Sequence, residues 1–315
     1  MLTWNIISSL KRCITSRDVT IFAGKQHYKS QGDSIQLMKR IITRINEGLS
    51  SCYPTGEVSA LTRIIAIELL GIPQMTFFLK EDVTLTAEQG ALLDDAITRL
   101  KKQEPIQYIL GYSDFCGLRF KVTPATLIPR PETSELVEWV ASEATGNEHI
   151  LDIGTGSGCI AISLAHRVPQ SKVTAWDISN EALAVATENS KANNCPVTFE
   201  QVDILAYQPT DAQFDIIVSN PPYIKDNEKE AMHSNVLDWE PHTALFVPEN
   251  DPLLFYRTIA EKGLAMLRSG GRLYFEINRA HGKETMEMLA ALGYTSIELR
   301  KDFADNDRMI SAVKD

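Results

Sequence analysis

Residues 214–223 read FDIIVSNPPY. The run from Phe214 to Asn220 is apolar and β-branched, which predicts a strand, and Pro221 and Pro222 end it because neither can donate to a ladder. Asn220 and Tyr223 then sit at a stiff strand end, where open α/β sheets bind ligands. A carboxamide, free backbone carbonyls and an aromatic ring at one place suit a planar group carrying N–H donors. Taken alone, the stretch also fits a plain strand closed by a proline turn.

A second set of residues lies upstream. HILDIG (149–154) predicts a buried strand, and Asp152 near its end runs into G-T-G-S-G, Gly154 to Gly158. Glycines there let a backbone approach a ligand closely, and the helix that follows offers free N–H groups and a positive dipole end. Asp177 closes the next strand, where a carboxylate takes the two hydroxyls of a ribose; Asp203 closes the third and can accept from an adenine amine. The dinucleotide fingerprint is G-x-G-x-x-G. Here Gly158 comes one residue early and Cys159 holds the third glycine's place, which favours S-adenosyl-L-methionine over NAD.

The elements that must hold these residues follow the same rhythm. Strands are expected at 172–177, 197–203, 214–220 and 272–278, with helices at 159–168, 179–194 (capped by Ser179), 252–268 and 281–292, and a final strand pair at 296–303 and 307–314. This is an α/β fold with a mostly parallel sheet covered on both faces, the last pair adding an antiparallel strand. Before it, helical spacing predicts helices over 34–49 (Ser34 as cap), 56–71 and 86–103, a small helical domain without a cluster of acid, base or nucleophile. Residues 106–129, with Gly111 and Gly117 between β-rich runs, predict a linking hairpin. A helix capped by Thr133 or Ser134, with Glu135 in its first turn, follows. The expected organisation is a 1–33 tail, a helical domain at 34–105, the hairpin linker at 106–129 and an α/β domain at 130–315.

Composition narrows the partners. The net charge of −10 is uneven: residues 1–105 carry 13 Lys/Arg and 11 Asp/Glu, residues 106–315 carry 18 and 30. The acidic C-terminal part argues against non-specific nucleic-acid binding. Five scattered cysteines without CxxC suit a reducing, cytoplasmic setting, and neither they nor the histidines have the spacing of a metal site. No apolar run has the length of a membrane span. The first 30 residues, with five Lys/Arg and one Asp, fit a transit peptide, a tail or an upstream start site.

DIGTGSG followed by SNPPYI resembles the class I (Rossmann-like) S-adenosylmethionine-dependent methyltransferases of the NPPY type. EPIQYILG (104–111), LIPRPET (127–133) and KDFADNDRMI (301–310) narrow the resemblance to the protein-(glutamine-N5) methyltransferases of peptide chain release factors. The resemblance implies a helical substrate-recognition domain joined through a hairpin to the methyltransferase domain. Its implied partners are class I release factors, methylated on the glutamine of Gly-Gly-Gln, with no direct nucleic-acid contact and a monomeric enzyme. Asn220, Pro221, Pro222 and Tyr223 become the substrate-binding set, with Asn220, Pro221 and Tyr223 catalytic. Gly154, Thr155, Gly156, Ser157, Gly158, Asp177, Ile178, Asp203, Ile204 and Asn220 become the cofactor set, and Arg130, Glu132 and Thr133 loop contacts that close over the cofactor. No metal is implied. The chain departs from the family pattern at Ser134, where an acidic residue is usual, and at Asn278–His281, where a G-x-x-Q turn is usual. Because NPPY is shared with nucleic-acid enzymes, an N-methyltransferase of adenine or guanine is the alternative.

Overall fold

The computed structural model describes residues 38–315. The expectations for the 1–33 tail and for Ser34 as a cap lie outside them. The described residues divide into two compact units, meeting in sequence at Leu110 and Gly111.

The first unit is helical. Helix α1 (Met38–Leu49) buries Met38, Ile41, Ile45 and Leu49, a stripe at three- and four-residue spacing. Helix α2 (Thr55–Ile64) runs into a π-helical turn, Ile65–Leu69. Helix α3 (Gln74–Leu79) was not expected; it has no buried residue, so no apolar stripe announced it. Helix α4 (Ala87–Lys101) opens with a capping box in which Thr86 and Gln89 exchange hydrogen bonds. Helix α5 (Ile106–Leu110) corrects the sequence reading, which put the hairpin from 106: Pro105 begins this turn of helix, Tyr108 and Ile109 both donating to its carbonyl.

The second unit opens with the hairpin, β1 (Tyr112–Phe115) and β2 (Leu118–Lys121), turned at Cys116 and Gly117, both with positive φ. Helix α6 (Pro131–Glu143) follows. Neither Thr133 nor Ser134 caps it; Arg130 occupies the cap position and Pro131 the first turn, where a missing N–H costs nothing.

The remaining elements form an α/β layer structure: β3 (His149–Ile153), α7 (Cys159–Arg167), β4 (Lys172–Asp177), α8 (Asn180–Ala192), β5 (Thr198–Gln201) and β6 (Phe214–Ser219). They continue with a two-residue pair, β7 (Ile224–Lys225) and β8 (Phe246–Val247), flanking α9 (Ser234–Leu237), then α10 (Leu254–Met266), β9 (Leu267–Glu276), α11 (Gly282–Ala291), β10 (Thr295–Lys301) and β11 (Asp307–Val313). Among the described residues the main sheet has seven strands in the order β10-β11-β9-β6-β3-β4-β5. Strands β3, β4, β5, β6 and β9 are parallel; β11 pairs antiparallel with β9, and β10 antiparallel with β11. Strand β9 starts five residues earlier than expected and carries Gly270 and Gly271 inside it, because their backbone pairs with Lys314. Apolar clusters cover both faces. Phe120, Leu136, Trp139 and Ile162 pack on one, and Ile217, Tyr256, Phe275 and Leu289 on the other. Among the described residues no helix is long and apolar enough to cross a membrane.

Candidate active site

The chain leaves β3 for β4 and β5 on one side, then returns as β6 on the other side of β3. The order therefore reverses between β3 and β6, and open sheets bind ligands at the carboxyl ends of such a pair. Ile153 lies in register with Ser219, so Gly154 and Asn220, the next residues of each strand, leave the sheet side by side. The Ser219 hydroxyl donates to the Ile153 carbonyl at 2.6 Å and fixes the two strand ends together.

The glycine turn has the geometry its sequence called for. Gly154, Gly156 and Gly158 all have positive φ, and nothing lies within 4 Å of where a Cβ would stand on the first two. At Gly158 a Cβ would meet Ile162 Cδ1 at 2.7 Å, so this glycine lets α7 pack rather than leaving open space. Asp177 holds the turn from the neighbouring strand: its carboxylate accepts from Gly156 N at 2.8 Å and Ser179 N at 2.9 Å. Burial raises the Asp177 carboxyl, against backbone N–H groups that favour its charged form. Ile178 beside it is 56% exposed, an apolar surface on which a planar ring can lie. Asp203 turns one oxygen to Leu205 N at 2.9 Å, and Ile204 is buried.

Beneath the turn, buried Asp152 accepts from the Thr155 hydroxyl at 2.6 Å and from Ala161 N at 3.3 Å through Oδ2. Its Oδ1 and the Ser157 hydroxyl are buried without a hydrogen-bond partner. Desolvation pushes the Asp152 carboxyl up to about 7. Desolvation and the neighbouring Asp152 push the Cys159 thiol up, which disfavours its thiolate form.

Around Asn220 the structure adds residues that sequence reasoning missed. Asn220 Nδ2 donates to the Thr133 hydroxyl oxygen at 3.4 Å, and the Thr133 hydroxyl donates to Glu276 Oε2 at 2.5 Å. The Tyr223 hydroxyl donates to Glu276 Oε1 at 3.4 Å. Glu276 is brought here because β9 lies beside β6, with Phe275 in register with Ser219. Burial holds its carboxyl above the usual range, although the Thr133 hydrogen bond and the Arg308 and Arg130 guanidiniums favour the charged form. A signal for it existed: a single glutamate inside the apolar run RLYFEIN.

Asn278, the first residue of the Asn278–His281 departure, touches NPPY directly. Its Nδ2 donates to the Tyr223 carbonyl at 3.1 Å while its Oδ1 accepts from Ala280 N at 3.0 Å. A cavity of about 310 Å³ opens beside Tyr223, lined also by Ile224, Met232, Asn278, Arg279 and Arg308. Ser134, the other departure, donates its hydroxyl to the Pro131 carbonyl, and Glu135 accepts from Phe303 N. Glu132 stands in the first turn of α6 beside Thr133. Trp139 and Trp176 are core residues.

Comparison with known proteins bears on this arrangement. Residues 42–111 match the PrmC N-terminal domain and residues 132–238 the methyltransferase small domain. The release factor glutamine methyltransferase of Bacteroides thetaiotaomicron is 48% identical over 276 residues, covering 87% of this chain and 99% of that protein. The chain belongs to the release factor glutamine methyltransferase family. The Flavobacterium psychrophilum member is 46% identical, over 87% of this chain and 98% of its own. Among solved structures, a methyltransferase from Pyrococcus furiosus matches with a TM-score of 0.48 and 19% identity, over 73% of this chain and 99% of that one.

This methyltransferase takes S-adenosyl-L-methionine as cofactor, and the residues present fit it. The open space over Gly154 and Gly156 admits a ligand against the backbone, and the Asp177 carboxylate stands at the second strand end for a diol. The two orphaned buried oxygens, on Asp152 and Ser157, show that the turn keeps polar capacity to spare.

Proposed function

We propose that this enzyme methylates the side-chain amide nitrogen of the glutamine in the Gly-Gly-Gln motif of class I peptide chain release factors. The observation that carries the reading is the adjacency of Gly154 and Asn220 at the reversal between β3 and β6, which brings a cofactor turn and an amide-binding strand end together. The names and similarity of the relatives support the substrate, and do not favour the nucleic-acid alternative.

The roles follow from chemistry. An amide nitrogen is a poor nucleophile because its lone pair is delocalised, and its NH₂ presents two donors. The Asn220 side-chain oxygen and the Pro221 carbonyl accept those two hydrogens, fix the amide and favour the charge that develops on nitrogen. Tyr223 stacks on the amide plane, and Pro222 stiffens the turn between them. Gly154, Thr155, Gly156, Ser157 and Gly158 line the methionine end of the cofactor site. Asp177 and Ile178 take its ribose and one ring face, and Asp203 and Ile204 the adenine end. Arg130, Glu132 and Thr133 close the site from the start of α6. The bound cofactor supplies a methyl group already activated by its sulfonium, so alignment rather than a strong base provides most of the acceleration. The cavity beside Tyr223 is the entry for the substrate segment. We further read residues 34–105 as the substrate-recognition domain, residues 106–129 as the connection, and the enzyme as a cytoplasmic monomer without direct nucleic-acid contact.

Mass spectrometry of a purified release factor incubated with this enzyme and S-adenosyl-L-methionine tests the reading. One added methyl on the Gly-Gly-Gln glutamine is expected; label in RNA or DNA with none on the factor refutes it.

A further inference from the structure

The side chain of Asn220 has two chemically opposite faces, an oxygen that accepts and an NH₂ that donates, with nearly the same shape. A substrate NH₂ can be received only if the oxygen faces it. Backbone geometry alone does not choose, because a half-turn about the last side-chain bond exchanges the two.

The choice is made by residues outside NPPY. Thr133 has a single hydrogen to donate, and it goes to Glu276 Oε2 at 2.5 Å. Its oxygen therefore presents only lone pairs to Asn220, and the contact at 3.4 Å is made by Nδ2. Thr133 and Glu276 are each 2% exposed, so water does not compete at either. The other Glu276 oxygen accepts from Tyr223, so one carboxylate directs both the carboxamide and the aromatic ring of the candidate site. The participants come from three elements: the first turn of α6, the end of β9 and the end of β6.

We propose that Thr133 and Glu276 are positioning residues that set the Asn220 carboxamide with its oxygen toward the substrate amide. The inference rests on the reading of Asn220 as the acceptor of a substrate N–H. Glu276→Gln leaves one acceptor oxygen for the two hydroxyls of Thr133 and Tyr223; with that oxygen on Tyr223 its NH₂ faces Thr133, and the threonine hydrogen is free to turn to Asn220 and invite its oxygen inward. Thr133→Val keeps the shape and removes the acceptor that holds the carboxamide one way round.

The test compares Thr133→Val, Thr133→Ser, Glu276→Gln and Asn220→Ala with the parent. It uses a purified Gly-Gly-Gln release factor and labelled S-adenosyl-L-methionine at saturation, with cofactor Kd by calorimetry and thermal unfolding of each variant. The expected result is a kcat about 10- to 100-fold lower in Thr133→Val and Glu276→Gln. The cofactor Kd of Glu276→Gln stays within about twofold, and Thr133→Ser recovers to within about threefold of the parent kcat. A Thr133→Val enzyme with parental kcat, while Asn220→Ala is inactive, overturns the inference and leaves the reading of Asn220 standing. So does a Thr133→Val loss that Ser does not rescue and that comes with lowered thermal stability, the mark of a packing role. Activity retained in Asn220→Ala defeats the reading itself, and the inference with it.

Discussion

Arg130 and Glu240 meet at 2.6 Å, and the Glu240 side chain is 1% exposed where they meet. The same carboxylate accepts from Ile128 N at 3.2 Å. One buried glutamate thus ties the segment leading into α6 to the segment that follows NPPY. Removing one partner of a buried pair leaves the other charge desolvated, which costs about 3–5 kcal/mol when both are buried. Arg130 is 29% exposed, so Arg130→Ala is expected to cost less, on the order of 2–3 kcal/mol. Glu240→Gln should cost less again, since a neutral amide still accepts from Ile128. Urea unfolding of the two variants checks the order; equal stability for Arg130→Ala and the parent would dismiss the clamp.

Asn220→Ala is expected to bind cofactor with a Kd within about threefold of the parent and to lose about 100- to 1,000-fold in kcat, the loss that follows removal of one charge-stabilising group in a preorganised site. Calorimetry and a single-turnover transfer assay measure the two quantities separately. Activity near the parent's would remove Asn220 from the chemistry.

Asp177→Ala should have the opposite profile. The carboxylate holds Gly156 N and Ser179 N, so its loss both loosens the glycine turn and deprives a bound ribose of its acceptor. Hydrogen bonds to a charged group contribute about 1.5–3 kcal/mol each, which predicts a cofactor Kd at least about tenfold weaker. Titration calorimetry decides it, and a parental Kd would place the ribose elsewhere.

Asp152 makes a prediction in pH. Its carboxyl is raised to about 7 in the fold from an ordinary 3.8, chiefly by burial. The protonated form is the one the fold favours, so its contribution is full below about pH 4 and is lost as pH rises through about 7, with a slope of at most about 1.4 kcal/mol per pH unit. Asp152→Asn cannot ionise and keeps an oxygen for Thr155. Its stability relative to the parent should therefore climb between pH 5 and 7 and level off above. Urea unfolding at pH 5, 6, 7 and 8 reads this directly; a difference independent of pH would show that Asp152 does not titrate there.

The elements that were legible in the sequence are those whose signals are local. The stripe of Ile41, Ile45 and Leu49, the glycines from 154 to 158, Ser179 at the start of α8 and the proline stop after Asn220 all act over a few residues, through side-chain period, positive φ or a missing N–H. Helix α3 and the turn Ile106–Leu110 escaped because the first buries nothing and the second follows a proline that reads equally as a stop.

The sequence by itself thus determined an alternating α/β domain, a glycine turn after its first strand and a strand end stopped by two prolines, because each is encoded within a few residues. Only the tertiary structure decided what surrounds Asn220. Thr133 reaches it across 87 positions of chain and Glu276 reaches Thr133 across 143, and Arg130 finds Glu240 across 110. Those meetings depend on β6 lying between β3 and β9 and on α6 beginning at their carboxyl ends. Strand order is set by how the whole set of apolar faces buries together, a global condition that no local period carries.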